Sequence, residues 1–178
     1  PEIWGRRVYS VFFGGGTPSL FSPSSIDHLL SAFRAQLQLA GDAEITLEAN
    51  PGTFEAAKFR DFRAAGINRL SIGVQSFDDT MLAALGRVHD ADEARRAIEH
   101  ALRCFEQLNV DLMYGLPRQP VADAAQYVRE AVRLGAPHVS AYQLSIEPNT
   151  VFYSKPPPLP SHDDAAEMQV SVEAVLAQ

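Results

Sequence analysis

The sequence predicts an α/β protein with a parallel sheet built from successive strand–helix units. Three observations support this fold class. Short segments rich in β-branched, aromatic and other apolar residues recur roughly every 30 residues along the chain. Segments with apolar residues at helical spacing lie between them. Gly, Pro, Asn and Asp residues mark the junctions. Since parallel strands need a crossover connection, which is usually a helix, this alternation predicts a parallel sheet.

The first two units follow from apolar runs and helix caps. Residues 8–13 form a short apolar run, which predicts a buried strand. Ser22 and Pro23 are typical of a helix N-cap and first helical position. The helix that follows carries apolar residues at helical spacing, namely Ile26, Leu29, Leu30, Phe33 and Leu37. Residues 43–49 (AEITLEA) predict the second strand, which ends in a turn where Thr53 can cap the next helix.

Further units follow the same pattern. The helix after Thr53 contains Phe54 and is expected to end at Gly66, a typical residue beyond a helix C-terminus. Three more strands are predicted at residues 68–74, 108–115 and 138–144, and three more helices at residues 78–85, 91–105 and 122–134. From Glu147 the chain is proline-rich and predicted to be extended. A boundary is predicted near Pro160, with a helix from Asp163 onward.

Five parallel strands fit either a doubly wound sheet or part of a barrel. A complete eight-stranded barrel takes about 250 residues, so the 178 residues here could form only part of one. In both architectures, ligands bind at the carboxyl ends of the strands. The residues at those ends are therefore the first candidates for function.

Composition excludes several classes of function. The net charge is −7 and no run of Lys or Arg stands out, which argues against nucleic-acid or membrane-surface binding. No apolar run is long enough to span a bilayer, and no signal peptide is recognisable. The single cysteine, Cys104, cannot form an internal disulfide, which favours a reducing, cytoplasmic setting. Because the chain starts at Pro1 and enters a strand almost at once, we expect a fragment.

The first strand ends in a glycine-rich loop, Gly14-Gly15-Gly16-Thr17. Glycines allow a backbone to approach a ligand closely, but they also make tight turns. The spacing matches neither the dinucleotide fingerprint G-x-G-x-x-G nor a phosphate loop, since no Lys follows. A standard nucleotide phosphate site is therefore disfavoured, and a ligand cradle and a tight turn both remain open.

Polar residues also stand at other strand ends. Glu48 and Asp111 interrupt apolar strands, and Gln75 follows the third strand. Carboxylates are seldom buried without a partner. The partner of Glu48 could be a ligand or an internal ion pair with Arg69 or Arg87, and Asp111 poses the same question. Two acids and an amide that converge on one rim favour a ligand.

The remaining reactive residues form no metal-binding or nucleophile pattern. Arg87 and His89 lie in LGRVHD, where a solvated helix-end charge and a surface histidine are the alternatives to a binding role. The other histidines show no metal-ligand spacing with each other or with Cys104: His28, His100, His138 and His162. No G-x-S-x-G elbow is present. Cys104 itself is expected to be a small buried apolar residue.

Six segments in order resemble the radical S-adenosylmethionine proteins related to oxygen-independent coproporphyrinogen III oxidase. They are FFGGGTPSLFSP, EITLEANPGT, NRLSIGVQSF, LGRVH, NVDLMYGLPRQ and YQLSIEPNTVF. The resemblance covers residues 8–152. Each segment alone is a modest signal, whereas the ordered set is specific. EANPGT and IEPNT resemble the heme chaperone branch of this family.

The resemblance implies a partial (β/α) barrel of the triose-phosphate-isomerase type, with parallel strands, outer helices and S-adenosylmethionine across the strand ends. It places the methionine end of the cofactor at Gly15, Gly16 and Thr17. Further cofactor-binding positions are matched by Glu48, Gln75, Arg87 and Asp111, and a weaker one by Ser145. An ammonium group and ribose hydroxyls would then be the partners of the two acids.

One departure from the family is large. The family's C-x-x-x-C-x-x-C motif, which binds a 4Fe–4S cluster before the glycine loop, is absent. We therefore expect residues 1–160 to be a partial barrel without its first strand and cluster loop, and residues 161–178 to begin a C-terminal helical segment. In the full-length protein, the resemblance implies electron transfer from the cluster to S-adenosylmethionine, which yields a 5′-deoxyadenosyl radical. This chain itself is expected to bind no cluster and to be inactive.

Four functions stay open at this point. The resemblance favours a heme chaperone, with S-adenosylmethionine, heme or a porphyrinogen, and a heme-acceptor protein as partners. An anaerobic coproporphyrinogen III oxidase is the alternative within the family. A cofactor-free barrel enzyme could instead use Glu48 and Asp111 as acid and base. A degenerate module could keep the cofactor pocket without a cluster.

Overall fold

The computed structural model describes residues 5–52 and 56–178, and its described strands form one sheet of five parallel strands. These are β1 (Arg7–Phe13), β2 (Gln38–Ala49), β3 (Arg69–Gln75), β4 (Gln107–Tyr114) and β5 (His138–Gln143). Spatial order follows chain order, whereas a doubly wound sheet reverses direction at a switch point. Right-handed crossovers in sequential order place the helices on one face of the sheet. The predicted partial barrel is confirmed.

The helices form the outer layer. They are α1 (Pro23–Gln36), α2 (Phe59–Ala64), α3 (Asp79–Ala84), α4 (Ala91–Cys104), α5 (Val121–Arg133), α6 (Val151–Ser154) and α7 (His162–Leu176). The predicted start of α1 is confirmed: Ser22 Oγ accepts a hydrogen bond from the Ser25 N–H at 3.1 Å, with Pro23 as the first helical residue. Gly66 follows α2 with φ +107°, as expected beyond a helix end.

The apolar core lies between the sheet and this helical layer. Alternate residues of the strands point to opposite faces. In β4, Val110 and Leu112 are buried in the core, while Asn109 and Asp111 lie on the other face. Fully buried partners come from both layers: Ile26, Leu30, Leu47, Phe59, Phe62, Leu70, Ile72 and Ile98. The inner face of the half-barrel is consequently polar.

The second strand is longer than expected. β2 begins at Gln38 rather than at residue 43, because Arg7 pairs with Gln38 at its start. Val8 pairs with Leu39 but Ser10 pairs with Glu44, so the ladder is irregular between these points. Gly41 lies within the irregular stretch, and glycine has weak strand propensity. Pairing with β1 therefore extends a strand that local pattern does not mark.

The C-terminal part also differs in detail. A short helix, α6, lies in the segment predicted to be extended, and Thr150 caps it by accepting from the Tyr153 N–H at 3.1 Å. α7 forms as expected, and its Met168 and Val172 are buried in the common core. The boundary near Pro160 stays a prediction.

Thr53 was predicted to cap the second helix and Phe54 to belong to it. Both residues lie outside the described part of the chain. Among the described helices, none is long and apolar enough to cross a membrane.

Candidate functional site

A polar cavity of about 530 Å³ borders the carboxyl ends of all five strands. Its lining residues are Phe12, Gly15, Thr17, Glu48, Ala49, Asn50, Arg69, Ser71, Gly73, Gln75, Arg87, Asn109, Asp111, Ser140 and Tyr142. Six of the eight residues predicted from the sequence are in this list: Gly15, Thr17, Glu48, Gln75, Arg87 and Asp111. Gly16 lies in the loop between two lining residues without lining the cavity itself. Ser145 is exposed beyond β5, where its Oγ donates to Glu147 Oε1 at 3.0 Å.

The three glycines of the loop have different structural reasons. A β-carbon at Gly14 would lie 2.8 Å from the Phe12 ring and 3.1 Å from the Glu48 carboxyl carbon. Gly15 has φ +103°, a conformation that side chains disfavour. Gly16 has neither constraint, since a β-carbon there would meet nothing within 4 Å in the described part of the chain. Close neighbouring side chains therefore explain Gly14 and the backbone conformation explains Gly15, whereas neither reason applies to Gly16.

Thr17 ends the loop in a left-handed conformation with φ 66°. Such a conformation is unfavourable for a β-branched residue. Two contacts hold it: the Thr17 N–H donates to the Gly15 carbonyl at 2.6 Å, and Thr17 Oγ1 accepts from Asn50 Nδ2 at 3.3 Å. Strain of this kind is concentrated at binding sites and tight turns.

Glu48 is half-buried beneath the glycine loop. Its Oε2 accepts a hydrogen bond from the Gly15 N–H at 3.0 Å. The alternative of an ion pair with Arg69 or Arg87 does not form among the described residues, and Arg69 pairs with Glu44 at 3.9 Å. A carboxylate can accept several hydrogen bonds. Glu48 thus keeps acceptor capacity that faces the cavity.

Asp111 is held by one donor from the neighbouring strand β3 and one from its own strand, β4. Ser71 Oγ donates to Oδ2 at 2.9 Å, and Asn109 Nδ2 donates to Oδ1 at 2.8 Å. Burial raises the pKa of Asp111, and the nearby charge of Glu48 acts in the same direction, while the two hydrogen bonds oppose them. Its carboxylate is therefore positioned at the cavity wall, and desolvation makes a cationic or hydroxyl partner favourable.

A second row of polar residues supports Asp111. Asn109 Oδ1 accepts from Ser140 Oγ at 3.0 Å and from His138 Nδ1, while Asn109 Nδ2 also donates to Ser71 Oγ at 2.8 Å. These partners determine the orientation of the amide. The sequence analysis did not select Ser71, Asn109 or Ser140. Their alternation with buried apolar residues along the strands was the available signal.

A bulge in β3 directs Gln75 into the cavity. The pairing with β4 shifts register between Gly73 and Gln75, and Gln75 has φ 68°. Bulges commonly change the direction of a side chain beside a binding site. A β-carbon at Gly73 would lie 2.9 Å from Gln75 Nε2. The Gln75 side chain therefore passes over Gly73, and a larger residue at position 73 would displace the end of that side chain.

Arg87 and His89 have different surroundings although they are close in sequence. Arg87 lies exposed at the cavity mouth, where partial desolvation lowers its pKa. The expectation of a surface histidine is wrong: His89 is 5% exposed, and its Nε2 lies 3.2 Å from the Val74 carbonyl oxygen. Burial lowers the pKa of His89. His89 attaches the LGRVHD segment to the end of β3 and so positions Arg87.

Cys104 lies on the outer layer, away from the cavity. It is half-buried at the end of α4 and packs against the core, so it is less enclosed than expected. The described residues contain no group of three or more His, Cys, Asp or Glu arranged to hold a metal ion.

Comparisons of this sequence with family models and with known proteins all lead to the same superfamily. A family model described as the Radical SAM superfamily matches residues 2–131. The heme chaperone HemW of Escherichia coli (strain K12) is 54% identical over 163 residues, which cover 89% of this chain and 42% of that protein. The mitochondrial radical S-adenosyl methionine domain-containing protein 1 of Bos taurus is 45% identical over 178 residues, covering 97% and 40%.

A solved structure shares the architecture. Coproporphyrinogen III oxidase (HemN) from Escherichia coli, described as a radical SAM enzyme, matches with a TM-score of 0.84 and 31% identity. The match covers 98% of this chain and 41% of that one. The chain thus spans less than half the length of these relatives.

Proposed function

We propose that this chain, which belongs to the radical SAM superfamily, is the S-adenosylmethionine-binding core of a heme chaperone. The observation that carries the cofactor part is the convergence of Gly15, Thr17, Glu48, Gln75, Arg87 and Asp111 on one cavity at the strand ends. These residues come from four separate strand ends and the α3–α4 connection. Parallel α/β proteins bind their ligands at this edge.

The described residues fit S-adenosylmethionine. A volume of about 530 Å³ falls within the range of about 300–1,000 Å³ usual for small-molecule sites. Glu48 and Asp111 would accept hydrogen bonds from the ammonium group and ribose hydroxyls. The Gly15–Gly16–Thr17 backbone would lie against the methionine end. Ser71 and Asn109 would orient Asp111 for this contact. When bound, the cofactor supplies the sulfonium from which radical chemistry in this superfamily begins.

The residues do not fit a 4Fe–4S cluster, which the superfamily also implies. Such clusters are held by sets of cysteine thiolates, and this chain contains one cysteine. Cys104 lies at the end of α4, in the helical layer. The protein chemistry proposed for these residues is therefore limited to binding and orienting the cofactor.

Heme chaperone activity is proposed from the relatives. The 54% identity to a heme chaperone exceeds the 31% identity to coproporphyrinogen III oxidase, so the chaperone is favoured over the oxidase. Heme as a ligand, an acceptor protein as a partner and a cytoplasmic setting belong to this proposal.

Calorimetric titration with S-adenosylmethionine tests the cofactor part. Glu48→Gln should weaken binding about tenfold or more, because a hydrogen bond to a charged group contributes about 1.5–3 kcal/mol. Asp42→Asn is the matched control, since Asp42 is an exposed acid on the same strand that does not line the cavity. Unchanged cofactor affinity in Glu48→Gln, with loss of some other turnover, would instead support the acid/base enzyme.

A second experiment separates the chaperone from the oxidase. The full-length protein, reconstituted anaerobically, is given heme with an apo-heme protein, and separately coproporphyrinogen III. We expect transfer of heme to the apo-heme protein and no decarboxylated product from coproporphyrinogen III. Product formation would reject the chaperone.

A further inference from the structure

A second pocket lies in the helical layer, at the opposite end of the sheet from the candidate site. Its volume is about 280 Å³, and its lining residues are Arg60, Arg63, His100, Arg103 and Cys104. The first two belong to α2 and the others to the end of α4, and each helix leads into the amino end of the following strand. The pocket is therefore separate from the cavity at the carboxyl ends.

This pocket concentrates positively charged side chains. Its lining includes three arginines and no carboxylate. In the described part of the chain, none of the three guanidinium groups forms an ion pair or hydrogen bond, whereas those of Arg69 and Arg95 each pair with a carboxylate. The chain as a whole has a net charge of −7. The pocket is therefore locally positive, although the chain as a whole is negatively charged.

The helix ends explain why the cations are tolerated but not what they bind. Arg63 and Arg103 lie in the last turns of α2 and α4, where the helix dipole favours positive charge. The helix dipole acts on the charge of the arginine and requires no hydrogen bond from its guanidinium N–H groups. Each guanidinium therefore keeps a planar set of N–H donors that can form bidentate hydrogen bonds to two oxygens of a phosphate.

The pocket also has a defined wall. The His100 ring packs edge-on against the Phe59 ring, with centroids 6.1 Å apart, so the histidine is supported by a fully buried side chain. Cys104 packs against the core beside it. A volume of about 280 Å³ is at the lower limit of small-molecule sites, about 300 Å³. It suits a compact anion.

We propose that Arg60, Arg63, Arg103 and His100 form a binding site for a phosphate group, as inorganic phosphate or as a small phosphate monoester. The site is independent of the proposed cofactor function, because it shares no lining residue with that cavity.

Cys104 gives a direct test, since it is the only cysteine of the chain and lines the pocket. Its alkylation rate by the neutral reagent iodoacetamide is measured in inorganic phosphate, in glycerol 2-phosphate and in sodium chloride at equal ionic strength. We expect saturable slowing by phosphate. Protection by both phosphates would indicate a site that accepts monoesters, and protection by inorganic phosphate alone a site for the free anion.

Two outcomes would overturn the proposal. One is the absence of protection by either phosphate. The other is protection in a further arm with hexaglutamate at the same ionic strength when neither phosphate protects, which would make the patch a docking surface for acidic protein segments. A loss of S-adenosylmethionine binding would leave these results unaffected, so the two proposals fail separately.

A matched pair of variants completes the test. Arg60→Gln with Arg103→Gln should weaken phosphate binding, measured by calorimetry, about tenfold or more. Arg6→Gln with Arg129→Gln removes the same charge from exposed positions outside the pocket and should leave binding unchanged. Equal weakening in both variants would show general charge screening and refute the site. Thermal melting of each variant verifies folding.

Discussion

Individual residues at the strand ends carry constraints of two kinds, from conformation and from ligand approach. Gly15 requires a positive φ, whereas Gly16 has an ordinary conformation with open space around it. Glu48 lies under the loop and accepts the Gly15 N–H. Replacing neighbouring glycines therefore separates the cost of folding the loop from the cost of binding a ligand.

Gly15→Ala should lower the free energy of unfolding by about 1 kcal/mol or more, because alanine is strained at positive φ. Gly16→Ala should leave it within about 0.5 kcal/mol but weaken S-adenosylmethionine binding if the cofactor approaches this backbone. Urea denaturation and calorimetry measure the two effects. Equal destabilisation by both substitutions would contradict the assignment of different roles.

Asp111 predicts a pH dependence of stability. Its pKa is raised in the folded protein by burial, so the folded state binds protons more tightly than the unfolded state. The stability contribution of Asp111 therefore falls as pH rises from the ordinary carboxyl pKa of about 3.9 through the raised native value. The free energy of unfolding of Asp111→Asn minus that of the native protein should rise over this interval and level off above it.

Denaturation curves at a series of pH values measure that difference. Asp27→Asn, which removes an exposed carboxylate on α1, is the control and should show no such rise. A difference for Asp111→Asn that stays constant with pH would contradict the raised pKa.

At the scale of elements, side chains join the strands where the regular ladder stops. Asn68 precedes β3, and its Oδ1 accepts from the Ile45 N–H at 2.6 Å while its Nδ2 donates to the Ala43 carbonyl at 2.8 Å. Regular β2–β3 pairing starts only at Thr46. The Asn68 amide thus extends the junction between these strands by one further step.

Asn68→Ala should lower the free energy of unfolding by about 2–3 kcal/mol, because it leaves a buried N–H and a buried carbonyl without that partner. Gln126→Ala, which removes an exposed amide on α5, is the control and should cost little. Chemical denaturation of both variants gives the comparison. An equal loss in the two variants would show that the amide pair is not the source of stability.

At the scale of the whole molecule, one core joins the sheet to helices that are distant in sequence. α7 contacts α5, β4 and β5, and Met168 on α7 is fully buried. The outer layer is therefore continuous past the predicted boundary near Pro160. The inner face of the sheet stays polar and open, which leaves the strand ends available for a ligand.

Met168→Ala should lower the free energy of unfolding by about 2–5 kcal/mol through loss of buried contacts and formation of a cavity. Val170→Ala, at a position on the same helix that is 66% exposed, should change it little. Circular dichroism and the fluorescence of the buried tyrosines, Tyr114 and Tyr127, should report one transition. An additional transition confined to α7 would support a separate C-terminal unit.

Much of this architecture could be predicted from local pattern. Apolar runs marked the strands, and Ser22, Pro23 and Gly66 marked helix ends, because these signals depend on nearby backbone groups. The glycine loop and the acids at strand ends identified the edge where ligands bind, since parallel strands bring their carboxyl ends together. By itself, the sequence therefore determined the fold class, the order of elements and most of the candidate site.

The tertiary structure decided which side chains meet. The early start of β2, the burial of His89 and the support of Asp111 by Ser71 and Asn109 all depend on pairing between segments far apart in the chain. The same holds for the proposed phosphate site, where Arg60 and Arg103 line one pocket because α2 packs beside α4. Local patterns report which face a residue takes, whereas long-range packing determines its partner.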